Sequence, residues 1–319
     1  MTMNWDLFRY TVDLHQESAF KKVEAVKGAL YSDILYRFSP PIPPKEPVFV
    51  IGCPRTGTTI LYRLLSSSPR LRSLRRETNT IWERINKVNH KAQYWKGDVL
   101  TEEDATPQAR DFVYRNFRLY FGGKRLIEKS PRNCFRVRFL NVLFPDAKYV
   151  FIYRRGEDTV NSMLNGLKPQ FRLRFPLRPH TEFVCFKGSP RRGWYYSMPG
   201  NWRKLVNLDA PHAMAQLWIE ANKAMLRDRG LIPEGQLFEI RYEDLVDNPP
   251  GWAREMCEFF DIPFGAEVQR FAEEFAPVNY TTPPRKDKWK DENREGVLSI
   301  LPLLEAMNRL LGYTRPSSE

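Results

Sequence analysis

The chain has 319 residues, 42% of them hydrophobic, with 50 basic and 38 acidic side chains for a net charge of +12. That length admits two domains or one large α/β domain and suffices for a buried core. A mean hydropathy of −0.53 with 13% aromatic residues excludes a polytopic membrane protein and argues against a disordered chain. The basic residues comprise 33 Arg and 17 Lys. Arg binds phosphate and sulfate through a planar fork, so the excess points to anionic ligands, with compositional bias as the equal alternative. Cys53, Cys134, Cys185 and Cys257 are far apart and form no CxxC, so neither a metal site nor a disulfide framework is expected. The first residues lack a basic-then-apolar leader, and no stretch nears the roughly 18 apolar residues of a spanning helix. The expectation is a soluble, cytoplasmic protein.

Residues 1–38 read as helical and 1–46 as an N-terminal helical extension, closed by the Pro-rich connector SPPIPPKEP. PVFVIG (47–52) reads as a buried parallel strand followed by a turn and an amphipathic helix that Pro69 stops. A second strand is expected around Leu71–Leu74, then mostly helix to about Phe121. KRLIEKSP suggests a third strand ending at Lys129 and Ser130, and CFRVRFLNVLFP a helix ending at Pro145. Ser130 followed by Pro131 also reads as a simple helix N-cap. KYVFIYRR (148–155) is the clearest strand, with a helix starting near Glu157. QLFEIRYEDLVDNP adds a strand and a helical turn, GWAREMCEFFDIP a helix, and SILPLLEAMNRLLGY a closing helix. Strands alternating with helices imply an α/β fold: one 1–319 domain with a phosphate-loop-type parallel sheet covered by helices on both faces.

Residues 168–204 depart from this pattern. They hold nine Lys/Arg against one acid, Glu182, and eight aromatics including Trp194, Tyr195, Tyr196 and Trp202. An irregular insertion this long reads as a lid, a binding loop on the side of an acceptor, or a disordered segment. Its composition suits an acidic glycan, a lipid-linked sugar or peripheral contact with a membrane surface, through aromatic stacking and cation contacts; a solvated basic loop is the plain alternative. Nucleic acid is not expected as a partner.

The most specific pattern is Gly52-Cys-Pro-Arg-Thr-Gly57-Thr58-Thr59 between strand and helix. Two glycines five apart let backbone amides close around an anion, and the helix adds its positive N-terminal end. Thr58 stands where the nucleotide-hydrolase loop GxxxxGK[ST] has lysine, which argues against ATP or GTP hydrolysis. Arg55 supplies a cation elsewhere in the loop.

After an apolar strand, PRTGTT resembles the 5′-phosphosulfate loop of the sulfotransferases, which use 3′-phosphoadenosine 5′-phosphosulfate (PAPS). The resemblance extends over 47–166 and 212–313. It implies that Arg55, Thr56, Gly57, Thr58 and Thr59 hold the phosphosulfate. It also implies that Arg154 and Ser162, eight apart in YRRGEDTVNS, hold the 3′-phosphate. Arg155 replaces the acidic residue often found after that arginine. RYEDLVDNP resembles the strand near the adenine, with Tyr242 the implied base contact, and Lys288 before Trp289 resembles a basic residue facing the cofactor in the tyrosylprotein and Golgi branch. Arg55 is then the clamp on the transferred group. Glu77, in a Glu-Thr block like that of the tyrosylprotein branch, is the implied general base, its carboxyl raised in pKa by a desolvated site; His90 is the second choice. Lys129 carries over as a cation stabilising the transferred group. Glu77 could instead pair with Arg75 or Arg76, and Lys129 with Glu128. The implied reaction needs no metal and delivers a sulfuryl group to the hydroxyl of a small molecule, lipid or glycan, leaving 3′,5′-adenosine bisphosphate (PAP). A degenerate phosphate-loop kinase and a non-catalytic anion-binding protein are the competing readings.

Overall fold

The computed structural model describes residues 35–74, 77–85, 96–168, 187, 194, 196–275 and 285–313. Four strands, β1 (Val48–Ile51), β2 (Ile127–Lys129), β3 (Lys148–Tyr153) and β4 (Leu237–Arg241), pair in parallel in the order β2-β1-β3-β4. Parallel strands need crossovers over the sheet faces, so their side chains are buried on both sides and read as continuous apolar runs. Alternation along β1 and β3 divides those side chains. Val48, Val50, Val150 and Ile152 enter one apolar cluster, whereas Phe49, Ile51, Tyr149 and Phe151 enter another.

Helices cover both clusters. On the first face lie α1 (Thr58–Ser66), through Leu61, Leu64 and Leu65, and later in the chain a helix carrying Ala253, Met256 and Cys257. The opposite face is covered by α2 (Asn79–Ile85), α3 (Pro107–Phe121) and α4 (Val137–Leu143), which contribute Trp82, Phe117 and Phe139. There too are α5 (Gly156–Leu167), the short α6 (Trp202–Leu205) and α7 (Ala210–Asp228), with Met163, Leu205 and Trp218. The remaining helices are α8 (Tyr242–Asp247), α9 (Pro249–Phe259), α10 (Ala266–Glu273), α11 (Trp289–Glu292), α12 (Arg294–Leu298) and α13 (Leu301–Leu310). No described helix is long and apolar enough to cross a membrane.

Several expectations need correction. Leu71–Leu74 is not a strand; Arg72 alone bridges to Leu126 at the sheet edge, its carbonyl accepting from the Ile127 N–H at 3.0 Å. The helix expected over 134–145 is split. A 3-10 turn runs over Pro131–Phe135, with Ser130 accepting from the Arg132 N–H at 3.3 Å as the N-cap reading requires, and α4 begins only at Val137. The break falls at Arg136, whose non-helical φ of −135° accompanies a fully buried side chain donating to the Asp98 carbonyl at 3.1 Å. The helical stretch expected up to Phe121 is interrupted: between residues 96 and 106 it contains only a 3-10 turn, Glu102–Asp104. The 19-residue α7 was not anticipated; Asp209 caps it, accepting from the His212 N–H at 3.0 Å. Of the expected N-terminal helix, only 35–38 is described, and it is helical.

The insertion also differs from expectation. Trp194, Tyr196 and Trp202 are all at most 5% exposed and belong to the apolar core, so they are not platforms for a sugar or lipid. Trp194 Nε1 donates to the Ser197 carbonyl at 3.1 Å and the Tyr196 hydroxyl to the Met163 carbonyl at 2.8 Å, which satisfies their polar ends inside the fold. Tyr195 and most of the insertion's cations lie outside the described residues.

Candidate active site

Parallel pairing puts all four strand C-termini on one edge of the sheet. The register Val50–Lys129, Ile51–Phe151 and Tyr153–Arg241 aligns them closely. Arg55 follows β1, Lys129 ends β2, Arg154 follows β3 and Tyr242 follows β4. In open parallel sheets this edge is where ligands bind.

The loop after β1 is tightly constrained. Gly57 has φ +96°, and a Cβ there would lie 2.4 Å from the Tyr242 ring; a Cβ on Gly52 would lie 2.5 Å from the Ile152 carbonyl. Only glycine fits both demands. Arg55 also has a left-handed φ of +73°. The Thr56 hydroxyl, expected to help hold the phosphosulfate, is turned into the fold. Thr56 is fully buried, and its hydroxyl donates to the carbonyls of Cys53 at 2.7 Å and Ile152 at 3.3 Å, clasping the loop to β3. Thr58 and Thr59 open α1, so their N–H groups have no carbonyl four residues back within the helix.

One group of side chains meets on the β3 side. Arg55 Nε donates to Ser162 Oγ at 3.2 Å, and Arg154 Nη1 reaches the Arg55 carbonyl at 3.5 Å. The Arg154 guanidinium lies 4.5 Å from the centre of the Tyr242 ring, which packs on Gly57. Trp218 Nε1 holds the Arg154 carbonyl at 3.2 Å, so α7 anchors this arginine. Asn161 and Asn165 on α5 donate to Glu292 at 3.0 and 2.6 Å, and Glu292 lies 3.8 Å from Lys288 Nζ. Burial, with Arg154 and Arg285 nearby, lowers the Lys288 pKa against the pull of Glu292. Arg155 is directed away into structural contacts: it lies 3.5 Å from Glu157 and 4.9 Å from the Tyr313 ring centre.

A second group meets on the β2 side. Lys129 Nζ donates to Glu77 Oε1 at 2.6 Å and to Thr59 Oγ1 at 3.3 Å. Asn79 Nδ2 donates to Glu77 Oε2 at 2.7 Å. Burial tends to raise the Glu77 pKa, but Lys129, Asn79 and Arg132 together hold it below its ordinary value, reversing the raised pKa expected from the sequence. Lys129 pairs with Glu77 and not with Glu128, which is buried and bonded to Thr78 at 2.6 Å and Asn133 at 2.6 Å. Arg75, Arg76 and His90 lie outside the described residues. Thr59 therefore touches one group and Arg55 the other, and the loop joins them.

Comparisons with known proteins identify the family. A model of the sulfotransferase family matches residues 47–182 and 191–266. The chain belongs to the sulfotransferase family. A protein-tyrosine sulfotransferase of Drosophila melanogaster is 24% identical over 83% of this chain and 47% of its own length. An uncharacterized protein of Aquifex aeolicus is 24% identical over 74% of this chain and 28% of its own. The chain thus spans less than half the length of either relative. A solved sulfotransferase domain from the curacin biosynthetic pathway, 18% identical, superposes with a TM-score of 0.52 over 86% of this chain and all of that domain, and so shares the fold.

Sequence reasoning passed over two residues of this candidate site. Asn79 directly follows the Glu77-Thr78 block, and only its contact with Glu77 marks it. Asp158 lies between Arg154 and Ser162 in the chain and is one helical turn before Ser162 on α5, hence on the same helix face. Its Oδ1 is buried without a hydrogen-bond partner, as is Arg154 Nε. Burial pushes the Asp158 carboxyl from 3.8 up to about 6, against the opposing pull of Arg154. Between those values the folded state holds a proton the unfolded chain has released, so stability falls as pH rises through this window. Asp158→Asn removes that penalty. Urea denaturation of the variant should show a gain of about 3 kcal/mol over wild type at pH 8 and little gain at pH 4. An equal gain at both pH values would contradict the assignment.

Proposed function

We propose that this chain transfers a sulfuryl group from PAPS to the hydroxyl of an acceptor. The observation carrying this reading is the joining, through one loop, of an arginine–serine group and a carboxylate–lysine group at the same sheet edge. The residues fit the donor. Arg154 offers a buried Nε with no partner, and the loop geometry at Gly52 and Gly57 leaves no room for side chains. PAPS supplies the sulfuryl group and a phosphate leaving group. Arg154 and Ser162 would hold the 3′-phosphate, with Lys288 adding positive charge. Arg55 and the first amides of α1 would hold the 5′-phosphosulfate, and Tyr242 shapes the floor of the loop beside Gly57.

For the chemistry, Glu77 would accept the acceptor's hydroxyl proton. Lys129 and Arg55 would match the negative charge on the moving group, in the manner of phosphoryl transfer, where positioning and charge dominate. The acceptor hydroxyl is best matched to a carboxylate kept in its charged form by Lys129, and hence a weak base. A phenol, ionising near about 10, suits such a base better than an aliphatic alcohol. The printed name of the Drosophila relative, a protein-tyrosine sulfotransferase, supports the same choice. A tyrosyl phenol is therefore the first acceptor to assay, with lipid and glycan alcohols beside it.

Calorimetry on Arg154→Ala and Ser162→Ala tests the donor site. Each should weaken PAP about 10- to 100-fold and leave 5′-AMP, which lacks the 3′-phosphate, nearly unaffected. Equal losses for both nucleotides would contradict the assignment. Glu77→Gln should lower turnover by about 10²- to 10⁴-fold with PAP affinity unchanged. Turnover at the wild-type rate would remove Glu77 from the role of base.

A further inference from the structure

Glu77 sits just before α2, and its side chain keeps 33% of its surface exposed despite the ion pair with Lys129. Attraction to a lysine ammonium is nearly isotropic and leaves a carboxylate free to turn about its own axis. The structure supplies a directional partner. Asn79 Nδ2 donates to Glu77 Oε2 at 2.7 Å, on the oxygen that Lys129 does not engage. The amide is itself held, because Ser130 Oγ donates to Asn79 Oδ1 at 3.1 Å. With its carbonyl end occupied by a hydroxyl, the amide must present its NH₂ end to the carboxylate. Ser130 in turn is fixed by its place at the end of β2, adjacent to Lys129, and by accepting the Arg132 N–H at 3.3 Å. Thr78, between Glu77 and Asn79, is tied to the buried Glu128 at 2.6 Å, which pins the backbone from which both side chains project.

We propose that Asn79, oriented by Ser130, is a positioning residue that fixes the plane of the Glu77 carboxylate beside Lys129 and the phosphate loop. A carboxylate offers about four acceptor positions. Lys129 takes one on Oε1 and Asn79 one on Oε2, so the carboxylate cannot rotate without breaking a charge-assisted bond. The remaining positions then keep a constant direction toward the acceptor. Because the Asn79 amide donates more strongly to a charged carboxylate than to a neutral carboxyl, it also helps keep Glu77 free of a proton.

The inference rests on Glu77 being the base, but its test reads the carboxylate directly and needs no acceptor. The protein is labelled with ¹³Cδ-glutamate, and the Glu77 resonance is assigned as the one missing from Glu77→Gln. Its titration is followed by NMR in wild type, Asn79→Ala and Ser130→Ala, with PAP affinity as the check that the neighbouring site is folded. Loss of the amide donor should move the Glu77 midpoint to higher pH in Asn79→Ala, and in the same direction by less in Ser130→Ala, where the amide remains but is released. PAP affinity should stay within about twofold of wild type, since neither residue touches the Arg154 group. Should Asn79→Ala not fold, Ser130→Ala carries the test alone. A Glu77 midpoint unmoved in the folded variants would overturn the proposal, whatever the outcome for Glu77→Gln turnover.

Discussion

The site depends on parallel alignment of the four strand ends. Each strand finishes at the same edge, and each delivers one functional segment there: the loop with Arg55, then Lys129, Arg154 and Tyr242. The residues are far apart in sequence, yet Arg55 and Ser162 touch across 107 positions, and Lys129 and Glu77 across 52. The sheet is buried on both faces, so these ends cannot slide independently without moving side chains out of two apolar clusters. Clasping Thr56 to the Ile152 carbonyl ties the loop to the strand that carries Arg154.

Within that frame the charges are arranged in opposition. On one side two arginines crowd near a serine and a buried aspartate, an arrangement suited to a multiply charged anion. On the other a carboxylate is bound to a lysine, which neutralises both and keeps the carboxylate unprotonated. A negatively charged group arriving at Thr59 would compete with Glu77 for Lys129. Glu77 would then become more basic as the lysine turned to that group, which links the two halves of the site through one side chain.

Much of the fold was legible because its signals are local. PVFVIG and KYVFIYRR are short apolar runs that only buried parallel strands explain well, and a glycine-spaced turn after the first marks the loop. Arg154, Ser162, Glu77 and Lys129 were legible through the resemblance of their motifs to those of the sulfotransferases, and the structure brings them together around that loop. What escaped notice depends on tertiary contact. Arg136 breaks a helix because its guanidinium is drawn to buried Asp98, a residue 38 positions away. Trp194, Tyr196 and Trp202 looked like part of an exposed binding surface, but they lie in the core, where Trp194 and Tyr196 satisfy their polar ends by hydrogen bonds. The direction of the Glu77 pKa depended on the 2.6 Å approach of Lys129, which no local pattern encodes.

The most direct test of the account is calorimetric titration of the wild-type chain with PAP, 5′-AMP and ATP–Mg²⁺ in parallel. The arginine–serine group at the end of β3 predicts micromolar binding of PAP and weak binding of the two nucleotides that lack a 3′-phosphate. Equal affinity for PAP and 5′-AMP, or preferential binding of ATP–Mg²⁺, would contradict it.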